Sequence, residues 1–530
     1  MKNHERELLK LTRPRRITGR GDKYLAEIAS KLRRLLVKTC QDFQSPIAQL
    51  GSEDMASISV MLVEWAEDIH CDIGLWRALE TCQEERLGSP LPLFVDPDSG
   101  SDPLTPFDSR RLRYLLWITI PSFFESLTLP PHSQELATMA EVASEFLAEH
   151  FAPIPRDSGV KKFLSTENEK IHKIKGKLVW LASQSYLFRV FWELFLSERG
   201  GQEAEDLIGI LEDFIGQHCT EWCGLGATEI LVELLNLTGD DRNDVLSWRE
   251  RHVAAYRVLD AKRSGEIVDS ISLYNIVSAG EYRVEVGVEM PAFTQGAVIY
   301  GALVPWRGTW HWSGSQQLLN NFSPDRDAEL RAAMLKENSS IAYRYCKEDA
   351  DMARERQAEQ HAKFLDFYKD DLVVFKDGRT LAASENQRLA ASWADATASD
   401  VEQAMLTRGH TAPKMSFPPE FLEDAKGIAA FSNPEEGVEY CRAFDTLGRG
   451  LQKQGVDLLT DEIYVIQGVM RADACSVALM RRIVCDDGPK SIAQAFQITN
   501  VSPEIAFEYL LRRYKGVYFH TRYPCLTIVK

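Results

Sequence analysis

The chain has 530 residues, 45% of them hydrophobic and 26% charged, and its formal net charge is −17 at pH 7. This length exceeds what one hydrophobic core usually holds, so we expect several domains, and the apolar fraction excludes a mainly disordered chain. No run approaches the roughly 18 apolar residues of a membrane-spanning helix, and the first residues lack the apolar stretch of a secretory signal, so we expect a cytoplasmic protein without a membrane partner.

The chain begins with a basic segment, in contrast to its acidic remainder. Residues 1–38 hold twelve Lys and Arg against four Asp and Glu. We predict an irregular basic arm over 1–21, with a default position against the chain's own body. Apolar residues at helical spacing then predict an α-helical domain over 22–265. Within it, 175–198 is apolar nearly all round, which places it at the centre of the predicted helical core.

The hydrophobic pattern changes after residue 265. Short runs rich in β-branched and aromatic residues alternate with Gly and Pro, and EYRVEVGV alternates with period two. We predict a small antiparallel sheet or partial barrel over 266–318, with its edges covered by flanking helices. Helical character returns over about 324–369, where the charged run YRYCKEDADMARERQAEQHAKFLDFYKDD predicts a long, solvated helix. The sheet and this helix form a predicted β module over 266–375.

The last part of the chain contains a candidate linker and a C-terminal unit. Residues 376–420 are rich in Ala, Ser, Thr and Asp and predict a flexible linker, because little in them would bury a core. Residues 421–530 predict an α-rich unit that closes with a hairpin or terminal strand. The predicted fold class is therefore mainly α and multidomain, with an α-helical N-terminal domain, a small antiparallel β module and a smaller C-terminal unit. The candidate cleavage bonds of the linker lie at Met405, Leu406, Lys414 and Met415.

Acidic and histidine residues at helical spacing raise the question of a metal site. Glu67 and His70 stand three residues apart, which puts both side chains on one helical face, as in di-iron bundles. Because the chain is rich in Asp and Glu, about one or two cases of an acid three residues before a His are expected by chance alone. A buried helix contact is the favoured interpretation. The rival is a metal-dependent hydrolase, which would use either His70 with Glu64, Glu67 or Asp68, or the group His218, Cys219 and Cys223.

A denser cluster is formed by His218, Cys219 and Cys223, which are candidates for three of the roughly four ligands that zinc needs. No second Cys or His pair stands at zinc-finger spacing, and Cys219 and Cys223 are typical of two core positions on a helix. The ten cysteines have no repeating spacing, so we interpret them as reduced thiols. The sequence contains no nucleophile elbow, Walker motif or dinucleotide motif. We therefore assign no catalytic residue, no metal and no cofactor.

Two groups of aromatic and basic residues are candidates for interaction sites. Trp310 and Trp312 would share one strand face and, with Trp306, could anchor an interface, although a covered core face is the favoured interpretation. The second group mixes cations with rings, which suits stacking on single-stranded nucleic acid. The acidic body argues against nucleic acid as a partner, so a folded edge is favoured there. The second group consists of Arg512, Arg513 and Tyr514.

Five stretches spread over most of the chain carry a family resemblance. They are TGRGDKYLAEIASKL, EWAEDIHCDIGLWRAL, LRYLLWITIPSF, LVPWRGTWHWSG and RRYKGVYFHTRYPCLTIV. Together they resemble an uncharacterised bacterial family of unknown function that is common in Bacteroides-type genomes. That family has no established activity, so the resemblance implies no catalytic residue.

The layout of the chain is similar to that of the regulatory substrates of the caspase-like protease in type III-E CRISPR loci. Those proteins have a large N-terminal part, a cleavable loop and a smaller C-terminal part. The resemblance implies a cut within 380–420 and, as partners, a protease and a transcription regulator in antiviral defence. We therefore predict a non-enzymatic regulatory protein that acts through protein–protein contacts, with the hydrolase and single-stranded nucleic-acid binding as alternatives.

Overall fold

The computed structural model describes residues 4–522, except residues 20, 96–103, 125–126, 202–205, 218–219, 290–292, 320–322, 338–346, 395–396, 398–414, 454–456 and 485–487. The described part is mainly α-helical, with a β barrel in the middle of the chain and a small second sheet after it. This confirms the predicted fold class.

Helices α1 to α12 build an N-terminal bundle. α3 is buried on nearly every side and contacts α2 and α6, so it forms the centre of the bundle. Side-chain caps set several helix starts, as at α5, where Asp108 accepts a hydrogen bond from the backbone N–H of Arg110 (2.9 Å). The bounds of α1 to α12 are His4–Thr12, Asp22–Cys40, Ser52–Cys71, Leu75–Leu87, Ser109–Thr119, Gln134–Phe151, Gly159–Leu164, Ile171–Gln184, Arg189–Ser197, Leu207–Gln217, Ala227–Leu234 and Gly239–Ser247.

The apolar segment 175–198 is divided between two helices. α8 ends at Gln184, and α9 begins at Arg189, because the backbone turns extended at Ser185. Leu178 and Leu181 are fully buried, as the apolar pattern predicted. The centre of the bundle, however, is occupied by α3.

The basic arm is not irregular at its start. Residues 4–12 form α1, which contacts α2 and α3, and Leu9 is only 1% exposed. Glu5 pairs with Arg33 of α2, with 2.7 Å between Oε1 and Nε. The arm therefore packs on the chain's own bundle, which was its default position. The sequence concealed the helix because Leu9 is the only apolar residue of α1 that is buried.

The middle of the chain folds as a closed barrel. The strand order is β1-β2-β3-β5-β4, and β4 pairs again with β1, while β6 extends the sheet beside β4. β3 and β5 run parallel and are joined by a single pair, Val284 with Trp310, so the barrel is only just closed there. Strands β1 to β6 are His252–Ser264, Ile267–Asn275, Glu281–Glu289, Val298–Trp306, Thr309–Trp312 and Gln317–Leu319.

The barrel begins earlier in the chain than the predicted boundary at residue 266. β1 starts at His252 and was assigned to the helical domain, because VAAYRVL contains good helix formers. Its strand character comes from long-range pairing with β2 and β4, which no local pattern reveals.

Two helices follow the barrel in the described part of the chain, and the second, over 347–368, is the long charged helix that the sequence predicted. α13 (Asp327–Glu337) covers part of the barrel core with Leu330 and Met334. α14 (Lys347–Tyr368) belongs to the next unit, where Phe364 is buried. The residues between these two helices lie outside the described part. A three-stranded antiparallel sheet accompanies α14, with strands β7 (Leu372–Phe375), β8 (Ile428–Asn433) and β9 (Gly437–Arg442).

The first half of the predicted flexible linker is folded. Residues 378–392 form α15 (Gly378–Ser392), where Leu381 and Glu385 are fully buried. Glu385 pairs with Arg388 (2.8 Å) and accepts a hydrogen bond from the hydroxyl of Tyr440 (2.9 Å). The polar composition concealed this helix, because its polar side chains satisfy one another inside the protein.

The candidate cleavage bonds fall mostly outside the described residues. Met405, Leu406 and Lys414 are not described, whereas Met415 is. The side-chain amide of Asn386 binds the backbone of Met415 twice, through its oxygen (2.9 Å) and its nitrogen (3.2 Å). Met415 is thus attached to α15.

The C-terminal unit is helical as predicted, with the addition of β8 and β9. Leu479 and Leu510 of this unit belong to the same continuous core as Leu115 and Trp117 of the bundle. The predicted hairpin or terminal strand over 516–530 begins instead with a 3-10 turn at Gly516–Phe519, and its second part, residues 523–530, lies outside the described part. Helices α16 to α21 are Pro419–Leu422, Phe444–Gln452, Thr460–Arg471, Val477–Ile483, Gly488–Ala495 and Pro503–Tyr514.

Candidate functional site

A cleft of about 1030 Å³ opens on the N-terminal bundle. One wall is the connection between α1 and α2, of which we call residues 14–19 the cover segment. α7 and α8 also line the cleft, and the ends of α3 and α6 contribute Cys71 and Phe151 to the lining. The cleft is therefore bounded both by helices and by an irregular segment.

Arg13 fastens the cover segment to the bundle. Its side chain is almost fully buried and pairs with Asp22 (Nε–Oδ1, 2.7 Å) and with Glu67 of α3 (Nη2–Oε2, 2.8 Å). Ser158 donates a hydrogen bond to the other oxygen of Glu67 (2.7 Å). Since Arg13 and Asp22 flank residues 14–21, their ion pair ties the two ends of this loop together, and Glu67 anchors both.

Burial and ion pairing shift the pKa values of Arg13 and Glu67 in opposite directions. Burial by itself would lower the pKa of Arg13, but the carboxylates of Glu67 and Asp22 outweigh it, and the pKa is raised. Burial raises the pKa of Glu67, although Arg13 and Ser158 act in the opposite direction. Both oxygens of Glu67 already have partners, so the network is suited to holding structure together.

The cover segment has an unusual backbone. Arg15 and Arg16 both have φ of 56°, in the left-handed region that non-glycine residues rarely adopt. Such residues cost about 1–3 kcal/mol each and cluster at ligand clamps and switch regions. Farther along, Ile17 is 69% exposed and Tyr24, at the start of α2, is 59% exposed, and both line the cleft. The segment thus presents apolar surface to the cleft and to the outside.

The predicted metal pair is divided between two different environments. Glu67 binds Arg13 and Ser158, whereas Nε2 of His70 lies 2.8 Å from the carbonyl oxygen of Ile154 and its ring meets Phe151 edge-on. The structure therefore does not bring Glu67 and His70 together. Among the described residues, no group of three or more His, Cys, Asp and Glu is arranged to hold a metal ion.

The two other acids of the hydrolase hypothesis are also used internally. Glu64 pairs with Arg189 of α9 (Oε2–Nη1, 3.0 Å). Asp68 accepts hydrogen bonds from the backbone N–H groups of 74–76 and from the hydroxyl of Tyr186 (2.7 Å). Asp68 thereby caps the start of α4 from the end of α3.

The proposed zinc cluster is only partly described. His218 and Cys219 lie outside the described residues. Cys223 is buried with φ of 53°, and its sulfur lies 4.0 Å from the hydroxyl of Tyr114. Burial raises the pKa of the Cys223 thiol to about 11. This residue therefore behaves as a neutral core thiol.

The tryptophans of the barrel pack inside the chain. Trp306 is buried and meets Trp248 of the bundle with 6.0 Å between ring centroids. Trp310 and Trp312 are half-buried and both contact the barrel core, with Trp310 4.6 Å from the ring of His252. The three tryptophans therefore join the barrel to its own core and to the bundle.

The basic cluster near the C-terminus is likewise part of the internal packing. Arg513 is buried and binds Glu221 (Nη2–Oε2, 2.6 Å). Arg512 lies over the ring of Phe519 (3.6 Å), and Tyr514 packs on Phe496 (5.8 Å between centroids). These contacts agree with a folded edge.

The barrel raises the question of nucleic acid again, because five-stranded barrels of similar strand order bind oligonucleotides on strands 2 and 3. On β3, Tyr282 and Val284 point into the core, while Glu281, Arg283 and Glu285 are exposed. Asp269 is exposed on β2. This outer face is predominantly acidic, which argues against binding of phosphates.

Sequence reasoning missed the cleft. The ion pairs beside it join Arg13, Asp22 and Glu67. Of these three residues, only Glu67 had been named as a candidate site residue from the sequence. The available signal was the dense run TRPRRITGRGD, in which a basic, Gly- and Pro-containing loop is bracketed by Arg13 and Asp22.

No helix among the described residues combines the length and apolar character needed to cross a membrane.

The comparisons with known proteins bear on the first part of the chain. The family described as "Protein of unknown function (DUF3843)" matches residues 4–200. Every residue that lines the cleft lies within this range. Comparison with curated proteins gave no match, and neither did comparison with solved structures. The expected resemblance to a family of unknown function is therefore supported for residues 4–200, whereas nothing in these comparisons supports the CRISPR resemblance.

Proposed function

We propose that this protein is a non-enzymatic regulatory protein that binds a small organic ligand reversibly in the cleft beneath the cover segment. The observation that carries the proposal is the cleft itself. Its volume of about 1030 Å³ is at the upper end of the roughly 300–1,000 Å³ typical of small-molecule sites.

The composition of the lining supports binding. Apolar side chains such as Ile154, Phe163 and Val179 are combined with polar and charged groups, among them Gln184, whose buried Oε1 lacks a hydrogen-bond partner. In small-molecule sites apolar walls supply affinity, and polar groups fix the orientation of the ligand.

The state of the acids supports binding over catalysis. Glu67 and Asp22 are paired with Arg13, and Asp157 is paired with Lys162 (2.6 Å). A general base needs a free lone pair within reach of substrate, and a nucleophile needs such a base beside it. In the described lining, each carboxylate is instead ion-paired with a cation of the same lining, which makes it poorly suited to act as a general base.

The position of the cover segment supports a regulatory role. Ile17 and Tyr24 line the cleft and are also largely exposed to solvent. A ligand that displaces or orders this segment changes the surface that a protein partner meets. The proposal thus links occupancy of the cleft to protein–protein contact.

Two related fluorescent probes test the proposal. N-phenyl-1-naphthylamine is neutral, and 8-anilinonaphthalene-1-sulfonate has nearly the same skeleton with one negative charge. We expect at least one of them to bind the full chain saturably at one site. Absence of saturable binding by both probes would contradict the proposed function.

A matched pair of variants locates the probe. Gly176 lies in α8 on the cleft wall, and Gly468 lies in α18 outside the cleft. Both are exposed helical glycines whose added Cβ meets no atom within 4 Å. We expect Gly176→Leu to abolish binding by filling the cleft, and Gly468→Leu to leave it unchanged. Equal binding by both variants would place the site elsewhere and overturn the proposal.

A further inference from the structure

We infer that the ligand of the cleft is an organic anion with an apolar body, an inference that rests on the proposed function. The structural reason is that the lining combines apolar walls with positive charge that its own carboxylates do not neutralise.

The charge balance of the lining is positive by one, with four Lys and Arg side chains against three acids. Asp22 and Glu67 share Arg13, and Asp157 is paired with Lys162. The other two cations, Arg15 and Lys173, have no ion pair with a carboxylate in the described part of the chain. The local charge is thus opposite in sign to the net charge of −17.

The two unpaired cations come from two different elements that line the cleft. Arg15 belongs to the cover segment, and Lys173 belongs to the first turn of α8, where His172 also lines the cleft. Arg15 and Lys173 are both exposed, so their charges are solvated when the cleft is empty. Both charges attract an anion that binds in the cleft.

The start of α8 adds to the positive potential. Its first turn contains no acidic residue, and Lys170 at the N-cap makes no capping hydrogen bond with its side chain. The N-terminal end of a helix carries a partial positive charge from its free N–H groups, which favours a nearby anion. Here this charge adds to those of Lys173 and Arg15.

The apolar walls define the rest of the ligand. Ile154, Phe163 and Val179 are half-buried on the inner side, and Ile17 and Tyr24 are exposed on the outer side. A small inorganic anion would leave these surfaces in contact with water. A ligand with a carboxylate, phosphate or sulfonate on an apolar or aromatic body covers them and meets the cations as well.

The same two probes test this inference separately from the proposed function. Because they differ mainly in one sulfonate, the ratio of their dissociation constants measures preference for the anion. We expect the anionic probe to bind about tenfold more tightly, in keeping with hydrogen bonds to charged groups. We also expect its affinity to fall as salt concentration rises. If the neutral probe binds the cleft as tightly, with Gly176→Leu abolishing binding, the proposed function stands and this inference is overturned.

Charge-removing variants identify the cations responsible. The double substitution Arg15→Gln with Lys173→Gln should remove the preference for the anionic probe, so that the two probes then bind with equal dissociation constants. The matched control is Arg16→Gln with Lys170→Gln, which removes two neighbouring exposed charges that do not line the cleft. Equal loss of preference in both double variants would show a diffuse surface charge and would overturn the assignment to Arg15 and Lys173.

Discussion

The guanidinium carbon of Arg513 lies 3.5 Å from the ring centroid of Trp117, although the two residues are separated by 396 positions in the sequence. Arg513 also binds Glu221 through Nε (3.0 Å) and Nη2 (2.6 Å). α21 is therefore fixed to the N-terminal bundle by stacking and charge together. The C-terminal unit and the bundle share one core, so we expect them to unfold as coupled parts.

Substitution of Arg513 should destabilise this junction. Breaking a buried ion pair costs about 3–5 kcal/mol, and because Glu221 is about a third exposed, we expect Arg513→Ala to lie at or below the lower end of that range. Arg512→Ala, in the same helix, removes only a contact with Phe519 and should cost about 1 kcal/mol. Urea unfolding followed by tryptophan fluorescence compares the two, and equal costs would contradict the role of Arg513.

A glycine at the same junction provides a steric test. A Cβ on Gly224 would stand 2.8 Å from the Cα of Gly516, and φ at Gly224 is +75°. Gly239 has φ of +56° but no atom within 4 Å of an added Cβ. Gly224→Ala should cost about 1–3 kcal/mol more than Gly239→Ala, because overpacking is added to backbone strain. Matching free energies of unfolding would show that the backbones at Gly224 and Gly516 do not approach each other as described.

The stability of the junction between barrel and bundle should depend on pH. Glu212 pairs with Lys175 (2.7 Å) and accepts a hydrogen bond from Ser313 of the barrel (2.7 Å). Burial raises the pKa of Glu212, but Lys175 and Ser313 outweigh this, so the pKa lies below its usual value. The unfolded chain therefore takes up the proton first as pH falls, and the stability contributed by Glu212 is lost as pH drops through the folded-state pKa.

The variant Glu212→Gln tests this dependence. We expect it to lower the free energy of unfolding by about 3–5 kcal/mol at pH 7, because Lys175 is left buried without a counterion. The difference from the wild type should shrink below about pH 4, where the unfolded chain is protonated. Glu281→Gln, at an exposed barrel position, is the control. A difference that stays constant with pH would rule out this contribution from the ionised carboxylate.

After limited proteolysis cuts the chain, the two fragments should remain associated. We expect cleavage within 398–414 and not at Lys414–Met415, because Asn386 binds the backbone of Met415. The fragments should remain together, since Asn500 bonds the carbonyl of Leu93 (2.6 Å) and Tyr509 bonds that of Leu87 (3.2 Å). Size-exclusion chromatography after limited proteolysis measures this. Two separate peaks under native conditions would contradict the shared core.

Elements with a local signature could be predicted from the sequence. Periodic apolar residues located the helical domain, and alternation located β3, because those patterns follow directly from burial of one face. β1 and α15 were missed for related reasons. β1 depends on pairing with distant β4, and α15 buries Glu385 and Arg388, whose charges indicate a surface helix until their partners are known.

The candidate site could not be predicted, because its parts come from distant segments. Arg13 meets Glu67 across more than fifty positions, and the wall that contains Lys173 is more than a hundred positions farther along. Spacing in the sequence reveals sites on one helix, such as the apparent pair of Glu67 and His70. It carries no information on which loops and helices enclose a cleft.

Hydrogen–deuterium exchange with and without the anionic probe tests the central claim most directly. We predict slower exchange on binding in residues 14–19 and in the first turn of α8, because both walls close on the ligand. The same experiment on Gly176→Leu should show no change, whereas Gly468→Leu should behave as the wild type. Unchanged exchange at both walls at saturating probe, or protection confined to the barrel, would contradict the account.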